Sequence, residues 1–200
     1  MQLTEEQKLI QDMAKNFAQQ QIKPYASEWD QKSIFPAQAL SQMGQLGFMG
    51  MLIPEQWGGS DTGTLAYVLA LEEIAAADGA TSAIMSVHNS VGCVPILRFG
   101  TELQKQQFLM PLAQGKMIGA FALTESHTGS DAAAIKTRAV KVGEHYILNG
   151  SKQFITSGHN AGMIIVFAVT DATAGKKGIS AFLVPRDSPG YEVISVKEKL

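Results

Sequence analysis

The feature that most constrains this chain is a change of hydrophobic rhythm at Gly115. Before it, apolar residues recur at helical intervals. Ile10, Met13, Ala14, Phe17 and Ala18 place one apolar stripe on one face. Thr4 with Gln7 forms a candidate capping box, and Glu5 and Glu6 suit the positive end of the helix dipole. Pro24 predicts the end of that helix or a kink. A second helix opens at Pro36 and runs toward Gly44 or Gly47. "PEQWGGSDTG" reads as a loop, and helices resume over about 65–77, 81–91 and 103–113. The last has a second Thr-x-x-Gln start, Thr101 to Gln104.

After Gly115 the runs are short and rich in β-branched and aromatic residues: "MIGAFAL", "TRAVKV", "YILNGSKQFIT", "MIIVFAVT" and "GISAFLVP". Asn149-Gly150 predicts a hairpin turn between "HYIL" and "SKQFIT". "MIIVFAV" lacks alternation, which predicts a strand covered on both faces. The pattern therefore predicts an α+β chain, with an all-helical domain over 1–115 and an antiparallel β domain over 116–200.

A 46% hydrophobic content supports a sizeable core, and 16 Lys+Arg against 18 Asp+Glu leave no basic field for nucleic acid. Cys93 is alone, so no internal disulfide forms. Apolar and small neighbours make it a buried inert thiol, and one free thiol suits a reducing, cytoplasmic setting. The N-terminus carries charge from Glu5 and lacks a signal-peptide core. Ser33–Pro54 and Gly79–Leu97 lack Asp, Glu, Lys and Arg. They contain proline, glycines and amide or hydroxyl groups, so they read as buried helices of a soluble protein, without membrane insertion.

Familiar chemical signatures are missing. No G-x-G-x-x-G follows a strand, and "QGKM" lacks the upstream glycine of a P-loop. His88, His127, His145 and His159 have no metal-ligand spacing, and no serine sits in a nucleophile elbow. Two polar loops at strand ends remain. In "FALTESHTGSD", Phe121 and Leu123 share one strand face, Thr124 and Ser130 donate and accept, and Gly129 permits close approach or a positive φ. In "KQFITSG", an aromatic, a β-branched residue and a threonine precede a glycine turn. Each loop also reads as a plain strand connection whose side chains cap backbone groups. Together they suit a flat polar heterocycle, with Phe154 on its face and threonine hydroxyls at its edge.

"FALTESHTGSDA", "NGSKQFITSG", "IPEQWGGSDTG" and "PILRFGTELQKQQFLMPLAQGKMIGAFALTE" together resemble the N-terminal and middle domains of acyl-CoA dehydrogenases. The resemblance runs from Glu5 to Leu200 in order and spacing; "MSVHNSVGCVPILRFG" is most similar to short-chain (butyryl-type) and short/branched-chain members. It implies a barrel-like middle domain, incomplete at its C-terminal end, and a family C-terminal helical bundle absent from these residues. It further implies that Phe121, Ala122, Leu123, Thr124, Gly129 and Ser130 line FAD, with Thr124 at the pyrimidine edge and Ser130 also touching the pantetheine of an acyl-CoA. Phe154, Ile155 and Thr156 match the family's Trp-Ile-Thr, whose aromatic packs on the flavin and whose threonine reaches toward N5. Phe154 departs from the usual tryptophan, and "ESHTGSD" from the usual Glu-Pro-Gly-x-Gly-Ser-Asp.

The implied reaction removes a proton from the acyl α-carbon and passes a hydride from the β-carbon to flavin N5, giving a trans-2-enoyl-CoA. The family's carboxylate base lies in the C-terminal domain. No catalytic residue is therefore assigned here, and neither Glu125 nor Asp131 replaces it. The resemblance implies an inactive fragment that holds FAD weakly alone, either trimmed or one half of a split protein. Electron-transfer flavoprotein would be the acceptor, and the full protein a tetramer or dimer. Acyl-CoA oxidase, flavin monooxygenase and a non-catalytic FAD-binding or interaction module are the alternatives. Met85 and Asn89 would border the acyl pocket or, for Met85, pack the core.

Overall fold

The computed structural model describes residues 2–196. The fold is α+β, in two units: one runs to Ile118 and takes in Ser195 and Val196, the other is Gly119–Ile194.

In the helical unit, α1 (Glu5–Phe17) opens as the sequence predicts. Thr4 Oγ1 accepts from the Gln7 amide at 3.2 Å, and Gln7 Oε1 accepts from the Thr4 amide at 3.0 Å. Its stripe delivers Ala14, Phe17 and Ala18 to a core with Leu40, Met43, Phe48, Ala70 and Ile74; Met13 stays 38% exposed at the stripe's edge. Pro24 does not end the helical run. A π-turn at Ala18–Ile22 precedes it, and α2 (Lys23–Gln31) continues beyond. The same device recurs twice. A π segment at His88–Cys93 joins α5 (Gly79–Val87) to α6 (Val94–Phe99) ahead of Pro95, and one at Lys105–Leu109 joins α7 (Glu102–Gln104) to α8 (Met110–Ala113) ahead of Pro111. The amides of Lys23 and Met110 reach five residues back, to Ala18 and Lys105. Proline cannot donate and crowds the carbonyl four back, so the wider turn absorbs the conflict. α3 (Ala37–Gln45) and α4 (Gly63–Ala77) complete the unit, and the second capping box forms at Thr101 and Gln104. Gly79–Phe99 is long and apolar enough by composition to cross a membrane. Here it is a core helix, with Thr81, Met85, His88, Asn89 and Cys93 fully buried.

That helix anchors the 47–62 loop. Asn89 Oδ1 accepts from the Met51 amide at 2.9 Å, while its Nδ2 donates to the carbonyls of Phe48 (2.9 Å) and Met85 (3.1 Å). The loop is then cross-tied by Ser60 N to Gly50 O, Asp61 N to Ile53 O and Thr62 N to Met51 O. Gly59 is obligatory here, since a Cβ on it would lie 2.0 Å from the Ile53 oxygen. Asn89 thus spends its amide on the fold.

His88 is also fully buried, its Nε2 3.0 Å from the Leu112 carbonyl. Burial pushes its pKa down from 6.5 to about 4, against the carbonyls of Leu112 and Met49, which raise it. An unfolded imidazole takes a proton below pH 6.5 while the buried one stays neutral to about 4. Stability of the helical unit is therefore complete above pH 6.5 and falls by about 3 kcal/mol on the way to pH 4. Urea unfolding followed by Trp29 and Trp57, the chain's two tryptophans and both in this unit, should show that slope, and His88→Gln should flatten it. Cys93 Sγ lies 3.7 Å from the same Nε2, and burial pushes its thiol pKa up, as an inert core cysteine requires.

The sheet unit is built on β4 (Met163–Val169), whose Met163, Ile164, Ile165 and Ala168 are buried, as its unbroken apolar run predicts. β5 (Ile179–Pro185) pairs antiparallel along all of it. On the other edge β1 (Gly119–Ala122) pairs in parallel from Gly119↔Met163 to Ala122↔Val166, and β2 (Arg138–Val142) joins in parallel at Val169. β3 (His145–Asn149) closes antiparallel on β2. The antiparallel expectation holds for β2–β3 and β4–β5; the two parallel contacts arise because β1 and β2 share one edge of β4.

The hairpin lies elsewhere than Asn149-Gly150. It turns at Gly143-Glu144, with Val142 opposite His145 and Gly143 at φ 59° in the first loop position. Gly150 serves close approach instead, because a Cβ there would meet Thr137 Oγ1 at 2.4 Å. Ser151–Thr156 consequently leaves the sheet as an irregular segment.

Candidate functional site

β1 ends at Ala122, and its residues divide by face. Ala120 and Ala122 are buried with Ala161 and Ile164, while the Phe121 ring lies 5.0 Å from that of Phe167. Beyond the strand the chain is tied to the segment after β3. The Leu123 carbonyl accepts from Lys152 Nζ at 3.0 Å, and the Thr124 carbonyl accepts from the Gln153 amide at 2.9 Å. The two polar loops are therefore held side by side, although about thirty residues separate them in sequence.

The site residues named from the sequence fall as follows. Phe121, Leu123, Thr124 and Thr156 are half-buried; Gly129 and Ser130 are exposed. Phe154 is 70% exposed with φ at 59°, a backbone region an aromatic residue rarely adopts, and Ser157 follows at φ 60°. Ile155 turns inward, onto the Ala120, Ala122, Ala161 and Ile164 cluster. Tyr191 packs there too and donates from its hydroxyl to the Gly158 carbonyl at 2.7 Å. Gly129 has neither a positive φ nor a crowded Cβ position, whose nearest atom would be Thr124 Cγ2 at 3.8 Å. What that glycine leaves is an open backbone.

Sequence reasoning missed the centre of the arrangement, Glu125. It is 5% exposed and receives four donors. Oε1 accepts from Lys152 Nζ (2.8 Å), Thr137 Oγ1 (2.6 Å) and the Thr137 amide (3.0 Å); Oε2 accepts from the Lys136 amide (2.7 Å). His127 Nε2 stands 3.7 Å from Oε2 and 3.1 Å from the Ala134 carbonyl. Burial alone would raise the Glu125 pKa; the bonds from Lys152, Thr137 and the Lys136 amide outweigh it and hold it at about 2. A depression of about 230 Å³ opens beside this carboxylate, rimmed by Ser126, His127 and Ser151. Phe154 and Thr156 are not among its lining residues, so it belongs to the clamp rather than to the exposed ring.

Residues 4–116 match the family model "Acyl-CoA dehydrogenase, N-terminal domain", and residues 120–200 match "Acyl-CoA dehydrogenase, middle domain". The chain belongs to the acyl-CoA dehydrogenase family. It is 43% identical over 198 residues to the short-chain specific acyl-CoA dehydrogenase of Clostridium acetobutylicum, covering 99% of this chain and 52% of that protein. Among solved structures, it is similar to a chain in a structure described for the electron transferring flavoprotein of Acidaminococcus fermentans and flavin-based electron bifurcation (TM-score 0.97, 43% identity, 100% of this chain and 52% of that one). It is also similar to a glutaryl-CoA dehydrogenase of Mycobacterium smegmatis in complex with FADH2 (TM-score 0.92, 35% identity, 99% and 50%). The chain spans about half the length of the relatives it matches.

Proposed function

We propose that this chain is the flavin-holding part of an FAD-dependent acyl-CoA dehydrogenase that converts a short acyl-CoA to the trans-2-enoyl-CoA, with a helical domain over 1–115 and a β domain from 116. The observation that carries the reading is the pairing of the two loops, which sets an exposed aromatic ring, two threonine hydroxyls and an open glycine backbone on one unit. Those groups fit an isoalloxazine: an apolar face for the rings and donors for the heteroatom edge. The glutaryl-CoA dehydrogenase complex with FADH2 and the short-chain relative support the cofactor and the substrate class.

Bound FAD would supply the electron sink for the hydride leaving the acyl β-carbon. Phe154 would pack on its face and Thr156 would hold its reactive edge. Phe121 to Thr124, with Gly129, would line the cofactor, Thr124 at its pyrimidine edge, and Ser130 would serve both cofactor and pantetheine. Glu125 is not the base, because its carboxylate is committed to four donors and its pKa of about 2 makes it a poor proton acceptor. The α-proton therefore goes to a group outside these loops. An electron-transfer flavoprotein as acceptor, a dimeric or tetrameric assembly and a cytoplasmic location complete the proposal, the first in keeping with the flavoprotein structure that the chain matches.

Replacing Phe154 by alanine is expected to weaken FAD binding about tenfold, since a stacked aromatic contributes roughly 0.5–1.5 kcal/mol beyond its buried area. Flavin fluorescence titration reads the loss, and an unchanged affinity would remove Phe154 from the site.

A further inference from the structure

We propose that Glu125 and Lys152 form a latch that positions the two flavin-lining loops against each other, so that the ion pair sets how tightly the flavin is held and how easily it is reduced. The inference rests on the flavin reading above and adds two positioning residues to it. Three chain segments converge on one carboxylate: residues 123–125 after β1, residues 136–137 just before β2, and residues 150–153 after β3. Both charged groups are withdrawn from water, with side-chain exposures of 4% for Glu125 and 10% for Lys152. Lys152 completes the closure by donating to both Leu123 O and Glu125 Oε1, and the next amide, Gln153, takes Thr124 O. The backbone that presents Phe154 in its left-handed conformation thus begins two residues after the ion pair. Gly150 brings the third segment so close to Thr137 that the hydroxyl bonded to Glu125 would meet any side chain placed there.

A pair that only cements the fold and a pair that tunes the flavin give different signatures. Glu125→Gln leaves an ammonium without its countercharge in a dry setting, which favours the more negative, reduced flavin. Lys152→Met leaves a carboxylate there, which disfavours it. The latch therefore predicts a higher midpoint potential in Glu125→Gln and a lower one in Lys152→Met, with FAD affinity falling at least about tenfold in both. Glu125→Leu combined with Lys152→Met removes both charges together. It should remain folded, return the potential close to the parent value and still hold FAD weakly.

The measurements are FAD titration and potentiometry on the flavin-loaded protein, together with amide exchange at Gln153 without flavin. The latch predicts at least tenfold faster Gln153 exchange in Lys152→Met, with β4 amides still protected. Unchanged Gln153 exchange, or potentials that shift in the same direction in the two single variants, would overturn it. A parent protein that binds no flavin, while Gln153 exchange still rises in the variant, would support the latch and reject the flavin reading.

Discussion

Asn89→Ala is expected to destabilise the helical unit by about 3–5 kcal/mol. The side chain is fully buried and makes three hydrogen bonds, and all three partners are backbone groups that no water reaches without opening the core. Truncation orphans the Met51 amide and two carbonyls and leaves a cavity between the His88–Cys93 segment and the 47–62 loop. Asn89→Leu restores volume but not the bonds, so it should recover less than half of the loss. Asn89→Asp keeps the acceptor for Met51 and turns a carboxylate toward the Phe48 and Met85 carbonyls, which should cost at least as much as alanine. Urea unfolding read at Trp29 and Trp57 measures all three, and a loss below about 1 kcal/mol for alanine would show that the loop does not depend on the clasp.

Glu125→Ala is the second large effect, about 3–5 kcal/mol on the sheet unit at pH 7. It leaves Lys152 with only the Leu123 carbonyl and strips the Lys136 and Thr137 amides of their acceptor. The pH dependence identifies the cause. The folded pKa of about 2 lies below the ordinary value of 4.5, so the stabilisation is complete above pH 4.5 and disappears as pH falls toward 2, amounting to about 3 kcal/mol. The parent and alanine proteins should differ most at neutral pH and converge near pH 2. Exchange of the Ile164 and Ile165 amides in β4 follows this unit without interference from the tryptophans. Acid should thus weaken the two units in sequence, the helical unit through His88 between pH 6.5 and 4, and the sheet unit through Glu125 between 4.5 and 2.

The helical half was largely legible in the sequence, because its signals are local. Both Thr-x-x-Gln boxes cap helices as read, and the stripe from Ile10 to Ala18 faces the core apart from Met13. Pro24 showed only the conflict with a regular helix, not the π-turn that accommodates it. In the sheet half, the apolar run of β4 identified a covered strand, but its partners are set by non-local register, and the parallel neighbours left no local mark. Asn149-Gly150 has ideal hairpin composition, yet Gly150 is there because Thr137 leaves no room for a side chain. The family was carried by its motifs. The Glu125 clamp was not, since four donors from residues 11, 12 and 27 positions away give no pattern to read along the chain.

The central claim, that these loops hold a flavin for acyl-CoA oxidation, is tested most directly by anaerobic titration. The protein would be loaded with FAD, and a short-chain acyl-CoA added without oxygen. Loss of the visible flavin absorbance with formation of one enoyl-CoA per flavin is the expected result. The same Phe154→Ala substitution should lower the flavin content in parallel. Stoichiometric flavin that no acyl-CoA reduces would contradict the proposed reaction, and a protein that takes up no flavin would contradict the site itself.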